Sequence, residues 1–296
     1  WIDAGAGPVT FGSTLDSTSG TPASLAVNAS GDTRFSGAVG KIAPLSSLST
    51  TAGTGQGAAG TTSIDGGFVA TVGDGGQSYL DKVVLGADTS FTSGPKGAIV
   101  FRDTLDGAAK ATLSAGGGAV IFFKKVGGAT ALRGLAIGSA SSVYAADSVI
   151  LDGTSAAAAD DGLVIGAGVN SVTIAAAGTT VTRFRRDGIV LAGGSTASLL
   201  SGFDVKNNGG SAVAIQPGSY AGTVLQGMTL ANDTDGLRLD AARGITVRSN
   251  RVISNTAFGL YAKGDCTGTT VLGNSISGNG TNIDTSAATG GTFQSS

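Results

Sequence analysis

Asp235-Gly236-Leu237-Arg238-Leu239 is one copy of a pentapeptide that recurs through the second half of the chain. Asp161-Gly162-Leu163-Val164-Ile165, Asp187-Gly188-Ile189-Val190-Leu191 and Ser211-Ala212-Val213-Ala214-Ile215 precede it, and Phe258-Gly259-Leu260-Tyr261-Ala262 and Thr281-Asn282-Ile283 follow. The first residues of these copies, Asp161, Asp187, Ser211, Asp235, Phe258 and Thr281, are almost evenly spaced. A fixed period of about 20–50 residues marks a repeat architecture, in which no unit can bury its apolar face alone and each stacks on its neighbours. Alternating apolar positions inside each copy give a short strand with one inward face.

Asparagines keep step with the pentapeptides. Asn208, Asn232, Asn255 and Asn279 recur at the same near-constant interval, each after a short apolar segment. An amide both donates and accepts, so a column of turn asparagines can satisfy itself from coil to coil. Asparagine also tolerates the left-handed backbone that a sharp corner needs. These four residues are therefore expected to form a structural ladder. Residues 151–296 are expected to form regular coils, each about 24 residues long, as repeat architectures allow.

The first half repeats less evenly. Val9-Thr10-Phe11 with Thr14-Leu15-Asp16 returns as Ile99-Val100-Phe101 with Thr104-Leu105-Asp106. Phe35 and Val39-Gly40 return as Phe122 and Val126-Gly127, and Leu45 and Leu48 as Leu132 and Leu135, at nearly the same offset. Divided by four, that offset gives coils of about 22 residues over 1–150, within the range of repeat architectures. The Gly/Ala/Thr-rich stretch from Thr51 to Thr61 is expected to protrude as a loop.

Composition agrees with short strands and tight turns. There are 51 glycines among 296 residues, and charged residues are only 13%, about half the usual share. The apolar and β-branched content excludes a disordered chain. The net charge of −2 comes with no basic stripe, so nucleic acid is not an expected partner. No apolar run reaches the length of a membrane-spanning helix, about 18 residues. The single Cys266 allows no intrachain disulfide.

Residues 161–284 resemble the right-handed parallel β-helix repeats of pectate-lyase-like proteins. The resemblance rests on the pentapeptides and on the Asn-x-hydrophobic-Ser-x-Asn pieces, Asn250 to Asn255 and Asn274 to Asn279. Residues 9–150 resemble repeats of large secreted bacterial adhesins and haemagglutinin-like surface proteins. That resemblance rests on Leu45-Ser46-Ser47-Leu48-Ser49-Thr50, Thr61-Thr62-Ser63-Ile64-Asp65-Gly66-Gly67 and Gln77 to Asp88. Together they imply one all-β domain over 1–296, a right-handed parallel β-helix of about 11–13 coils.

The chemistry is harder to read. The chain has no histidine, which removes Ser-His-Asp schemes, histidine zinc sites and a histidine acid or base. Asn232-Asp233-Thr234-Asp235-Gly236-Leu237-Arg238 partly resembles the Asn-Thr-Asp-Gly-x-Asp motif of polygalacturonases, but Asp233 is extra and Arg238 replaces the last Asp. Asp160-Asp161 precedes Asp235 by roughly three coils or about 15 Å, too far for the carboxylate pair of glycoside hydrolysis. Asp161, Asp187 and Asp235 read more simply as turn residues opening each coil.

Arg183, Arg185, Arg186 and Asp187 form the densest charged cluster, and strand alternation would put Arg183 and Arg185 on one face opposite Phe184. They are the candidate ligand face, a groove for an anionic sugar, with a solvated surface as the plainer reading. Arg238, Asp240, Arg243, Arg248 and Arg251 form a second cluster. No convergent carboxylates suggest calcium. Gly55-x-Gly57-x-x-Gly60 matches a dinucleotide fingerprint by letter only, since no helix pattern follows it.

The expected role is thus non-catalytic: a structural or adhesive segment of a secreted bacterial surface protein, located outside the cell. No catalytic, metal or cofactor-binding residue is assigned. With no capping helix in the pattern, exposed strand edges would stack head to tail into a fibre or against neighbouring domains of a longer chain. The alternatives are a polysaccharide lyase or hydrolase of the β-helix class, or a carbohydrate- or ice-binding module. The enzyme reading requires an acid–base cluster on one sheet face across two or three adjacent coils.

Overall fold

The computed structural model describes residues 1–51, 60–155 and 160–295. The loop expected at Thr51 to Thr61 and the Gly55-x-Gly57-x-x-Gly60 match fall largely outside the described residues. The chain is an all-β parallel solenoid of about 12 turns. It divides into two compact units, Trp1–Leu132 with Gly138–Asp147, and Arg133–Ile137 with Ser148–Ser296.

In the second unit the typical coil runs through three short strands. Ile189–Leu191, Leu199–Ser201 and Asp204–Lys206 make one coil, and Asp235–Asp240, Thr246–Arg248 and Arg251–Ile253 make another. Like strands stack in parallel, giving three faces. On the first face Leu163, Ile189, Val213, Leu237, Leu260 and Ile283 lie in one column. These are the third residues of the pentapeptides, so the sequence repeat and the structural repeat coincide. On the second face Leu200, Leu225, Val247 and Val271 form a column. On the third face Leu151, Val181, Val205, Leu230, Val252 and Ile276 do so. Apart from Ile283 these side chains are buried, and the three columns converge to form the core.

The corners explain the asparagines. Between the third and first faces, Arg183, Asn207, Asn232, Ser254 and Gly278 all have positive φ, from 59° to 65°. The residue after each turns inward. Asn208 Oδ1 accepts the Phe184 N–H at 3.0 Å, Asp233 Oδ1 accepts the Asn208 N–H at 2.6 Å, and Asn255 Oδ1 accepts the Asp233 N–H at 3.0 Å. Asn279 Oδ1 then accepts both the backbone N–H and the Nδ2–H of Asn255, at 3.0 and 2.9 Å. The ladder is therefore Asn208, Asp233, Asn255, Asn279. Asn232 is not in it: this residue is exposed and supplies the left-handed corner instead.

A second ladder occupies the corner between the second and third faces. Asn250 Oδ1 accepts the Met228 N–H at 2.9 Å, and Asn274 Oδ1 accepts the Asn250 N–H at 3.0 Å. The two Asn-x-hydrophobic-Ser-x-Asn pieces thus supply one rung to each ladder. A third corner uses hydroxyls: Ser198 Oγ accepts the Val172 N–H at 3.1 Å, and Thr223 Oγ1 donates to Ser195 O at 2.7 Å.

The first unit also has three stacks, with a less even coil. Val27 lies on Ile2, Gln77 on Leu48 and Ile99 on Gln77. The step from Leu48 to Gln77 is the longest of these and spans the Gly/Ala/Thr-rich stretch. It shifts the alignment, so residues matched across the long sequence period do not share a face. Phe11 stacks on Phe35 at 5.0 Å in a column that continues through Ile64 and Leu85. Phe101 lies in a different stack, between Tyr79 at 5.0 Å and Phe122 at 5.3 Å. These three buried rings, with Phe91 edge-on at 5.4 Å to Phe101, fill the centre of the unit. Trp1 is 79% exposed.

Candidate functional site

Strand alternation on the first face of the second unit points every second residue outward. Val190, Ala214, Arg238, Tyr261 and Asp284 form one such outward column. Asp240 and Lys263 are paired two residues further along. The small Ala214 leaves room in front of Arg238, and a cavity of about 180 Å³ opens there, lined by Asp187, Ala214, Ile215, Gln216, Arg238 and Asp240.

The charges in this cluster are tied together. Arg238 Nε donates to Asp240 Oδ2 at 3.2 Å and its second nitrogen lies 3.1 Å from the same oxygen. Lys263 Nζ lies 3.4 Å from Asp240 Oδ1. The Asp240 hydrogen bond raises the Arg238 pKa, so this cation persists throughout the accessible pH range. Asp187 Oδ1 accepts the Ser211 N–H at 2.6 Å and Asp161 Oδ1 accepts the Asp187 N–H at 3.1 Å. These carboxylates therefore open their coils and are fixed in direction. Burial raises the pKa of Asp235, one coil beyond Ser211, with the Phe258 N–H and Arg238 opposing the shift. Tyr220 anchors the cavity from behind: its hydroxyl is in hydrogen-bond contact with Gln216 O at 2.7 Å and Leu191 O at 3.0 Å.

The arginines expected to share a strand face do not lie on a strand. The strand Thr180–Thr182 ends before them, and Arg183 sits in the left-handed corner. The inward turn of Phe184 comes from that corner rather than from strand alternation. Arg183 pairs with Asp152, and Arg186 Nε lies 3.3 Å from Asp161 Oδ1. Arg185 is exposed. Of the four residues only Asp187 lines the cavity. The second charged cluster also divides. Arg238 and Asp240 face the cavity, Arg243 lies 3.6 Å from Asp265, and Arg248 donates to Gln226 at 3.0 Å. Among the described residues no three His, Cys, Asp or Glu side chains gather as metal ligands would, and no helix is long and apolar enough to cross a membrane.

Residues 161–295 match the family model described as a right handed beta helix region. This stretch is a right-handed β-helix. No curated protein matches the chain by sequence. Among solved structures, the D317A mutant of the periplasmic alginate epimerase AlgG is similar with a TM-score of 0.55 at 12% identity, over 94% of this chain and 79% of that one. The A-module of the Azotobacter vinelandii mannuronan C-5 epimerase AlgE4 is a looser match, TM-score 0.42 at 13% identity, over 97% and 89% of the two chains. The first likeness establishes a shared β-helix fold.

The first neighbour corrects the expected function. The sequence points to a non-catalytic adhesive or fibre segment, but the AlgG structure it resembles is that of an alginate epimerase. The AlgG structure is not an adhesin or haemagglutinin. The unpaired-edge argument describes any open solenoid, enzyme or not, so it does not discriminate between the two readings.

Proposed function

We propose that the chain modifies an acidic polysaccharide at the outward face formed by Asp187, Arg238, Asp240, Tyr261 and Lys263. One observation supports this reading: two adjacent coils place two cations, a carboxylate and a phenol on one sheet face, beside an open cavity that Asp187 also lines. That is the arrangement the enzyme alternative requires and a purely structural coil does not. The neighbours named as alginate and mannuronan epimerases add an analogy of fold, and uronic-acid polymers are accordingly the substrate class proposed. A secreted location accompanies such a substrate.

Epimerising and eliminating on a uronic acid begin alike, with loss of the proton on the carbon bearing the carboxylate. The C–H bond breaks, a base takes the proton, and the electron pair moves into the carboxylate, which then carries more negative charge. A fixed cation at that carboxylate stabilises the change most. Arg238 is held in that role by Asp240. Tyr261, one coil away in the same column, is the proton acceptor once its phenolic proton has passed to solvent, and Lys263 is the donor. Return of a proton to the opposite face gives the epimer, and loss of the glycosidic oxygen gives an unsaturated sugar.

Incubating the protein with polymannuronate and polygalacturonate in D2O tests this. Deuterium at the proton-bearing carbon, read by NMR, is expected, and ultraviolet absorbance of an unsaturated sugar would assign elimination. Arg238→Ala is expected to lower the rate by about 10²–10³ with the circular dichroism spectrum unchanged. Neither deuterium nor unsaturated product from any polyuronate that the protein binds would overturn the proposal.

A further inference from the structure

The first unit has a larger concavity that the cluster above does not use. It has a volume of about 440 Å³ and is lined by Lys82, Asp103, Thr104, Asp106, Lys125, Gly128 and Ala129. Backbone bonding fixes how it is built. The Val83 N–H donates to Thr104 O at 2.8 Å, and the Leu105 N–H donates to Lys125 O at 3.2 Å. Lys82, Thr104 and Lys125 are therefore neighbours in one column on three successive coils. The two lysines stand two rungs apart, about 10 Å, with the short threonine between them and Gly128 and Ala129 beside them.

The carboxylates here are engaged while the lysines are not. Asp106 Oδ1 accepts the Ala129 N–H at 2.8 Å and the Thr130 N–H at 3.3 Å, and Asp103 Oδ1 accepts the Thr104 N–H at 2.7 Å. Both carboxylates are thus engaged by backbone donors. Lys82, Lys124 and Lys125 are exposed, and none has a carboxylate partner among the described residues. In contrast, Arg34, Arg183, Arg238 and Lys263 all have one. Exposed lysines left unneutralised on a chain of net charge −2 form a local positive field.

Beside them lies an apolar step. The Arg102 N–H donates to Tyr79 O and the Phe123 N–H to Phe101 O, at 2.8 and 2.9 Å. Leu80, Arg102 and Phe123 therefore share a corner, two residues before the lysine column. Leu80 is 42% exposed and Phe123 40%, and the Arg102 guanidinium lies over the Phe123 ring at 5.3 Å. An exposed ring beside unpaired cations is a recognition surface rather than a packing one.

We propose that this concavity binds an acidic sugar, its carboxylate held by Lys82 or Lys125 and its hydroxyls by Asp103, with its apolar face against the side of the neighbouring Phe123 ring that Arg102 leaves open. Two unpaired lysines on either side of a threonine, with two aspartates beside them, select this ligand class. A polyphosphate would meet the two aspartates with repulsion, and a neutral glycan would leave both lysines unused. The site holds ligand without chemistry of its own, and it stands independently of the role given to Arg238.

The test uses the full chain carrying Arg238→Ala, which removes the other cluster from the measurement. Calorimetric titration with oligogalacturonate, its fully methyl-esterified counterpart and inorganic phosphate is then compared with the same titrations of a Lys82→Gln, Lys125→Gln version. The expected result is binding of the acid oligomer that falls at least about tenfold in the double variant, equivalent to about 1.4 kcal/mol, with no change in melting temperature. Phe123→Ala is expected to weaken binding further, and the methyl ester to bind poorly. Equal binding by parent and double variant, equal binding of the ester, or phosphate binding as tight as the sugar acid would each overturn the proposal.

Discussion

Asp233 occupies a rung that asparagine fills above and below. Its Oδ1 accepts the Asn208 N–H, while its Oδ2 is buried without a hydrogen-bond partner. At the equivalent position Asn255 Nδ2 donates to Leu230 O at 3.3 Å and to Asn279 Oδ1 at 2.9 Å. A carboxylate offers only acceptors there, and burial, opposed by the Asn208 hydrogen bonds, pushes the Asp233 pKa up to about 7. The group is neutral in the folded chain at mildly acidic pH and ionised in the unfolded chain above about pH 4. Its contribution to stability is therefore fully present below about pH 4 and is lost as the pH rises to about 7, on the order of 4 kcal/mol in all. Asp233→Asn restores the missing donor. Chemical denaturation at several pH values is expected to show that variant more stable than the parent under mildly alkaline conditions, with a flatter profile across the acidic range.

At the scale of the coil, the pentapeptide glycine and the ladder asparagine are one device. A Cβ on Gly236 would lie 2.8 Å from Asn255 Nδ2 and 2.7 Å from Gly259 O, and one on Gly259 would lie 2.6 Å from Asn279 Nδ2. The inward amide packs where a side chain would otherwise be, so Gly236→Ala displaces backbone and amide together. A loss of about 2–4 kcal/mol is expected, from overpacking plus a broken buried hydrogen bond, read as a lower unfolding midpoint. In the first unit the stacked rings carry the core instead. Phe101→Ala should cost about 3–5 kcal/mol and accelerate amide exchange first in the paired strands Phe68–Tyr79 and Ala119–Phe122.

These elements show what the sequence can and cannot convey. The pentapeptides reveal the register of the first face because each keeps its apolar residue at the same place. The asparagine spacing misplaces the ladder by one residue at Asn232-Asp233, where two side chains of similar shape sit side by side. The signal lies in the pair: a residue able to take positive φ, then an amide or carboxyl, as in Asn207-Asn208, Ser254-Asn255 and Gly278-Asn279. The long period of the first half fails because one longer coil, between Leu48 and Gln77, displaces everything after it. The sequence shows Arg238 and Asp240 in one charged cluster and Asp187 in another, but not that they meet. Asp187, Gln216, Asp240 and Lys263 become neighbours once every coil length between them is known.

Over the whole molecule, each strand bonds only to the coil before and the coil after, so protection against exchange should follow local burial. Thr281–Thr289 contains no buried residue, whereas Ser211–Ile215 is buried throughout. Amides of the former are expected to exchange faster by hydrogen–deuterium mass spectrometry, and equal rates would contradict the stacking described above. The placement of Trp1 matters for any such work. An indole that already faces solvent emits as it would from a denatured chain, so tryptophan fluorescence will be nearly blind to melting. The buried phenols of Tyr79 and Tyr220 are the chromophores whose surroundings change, and near-ultraviolet absorbance or tyrosine emission will report the loss of structure instead.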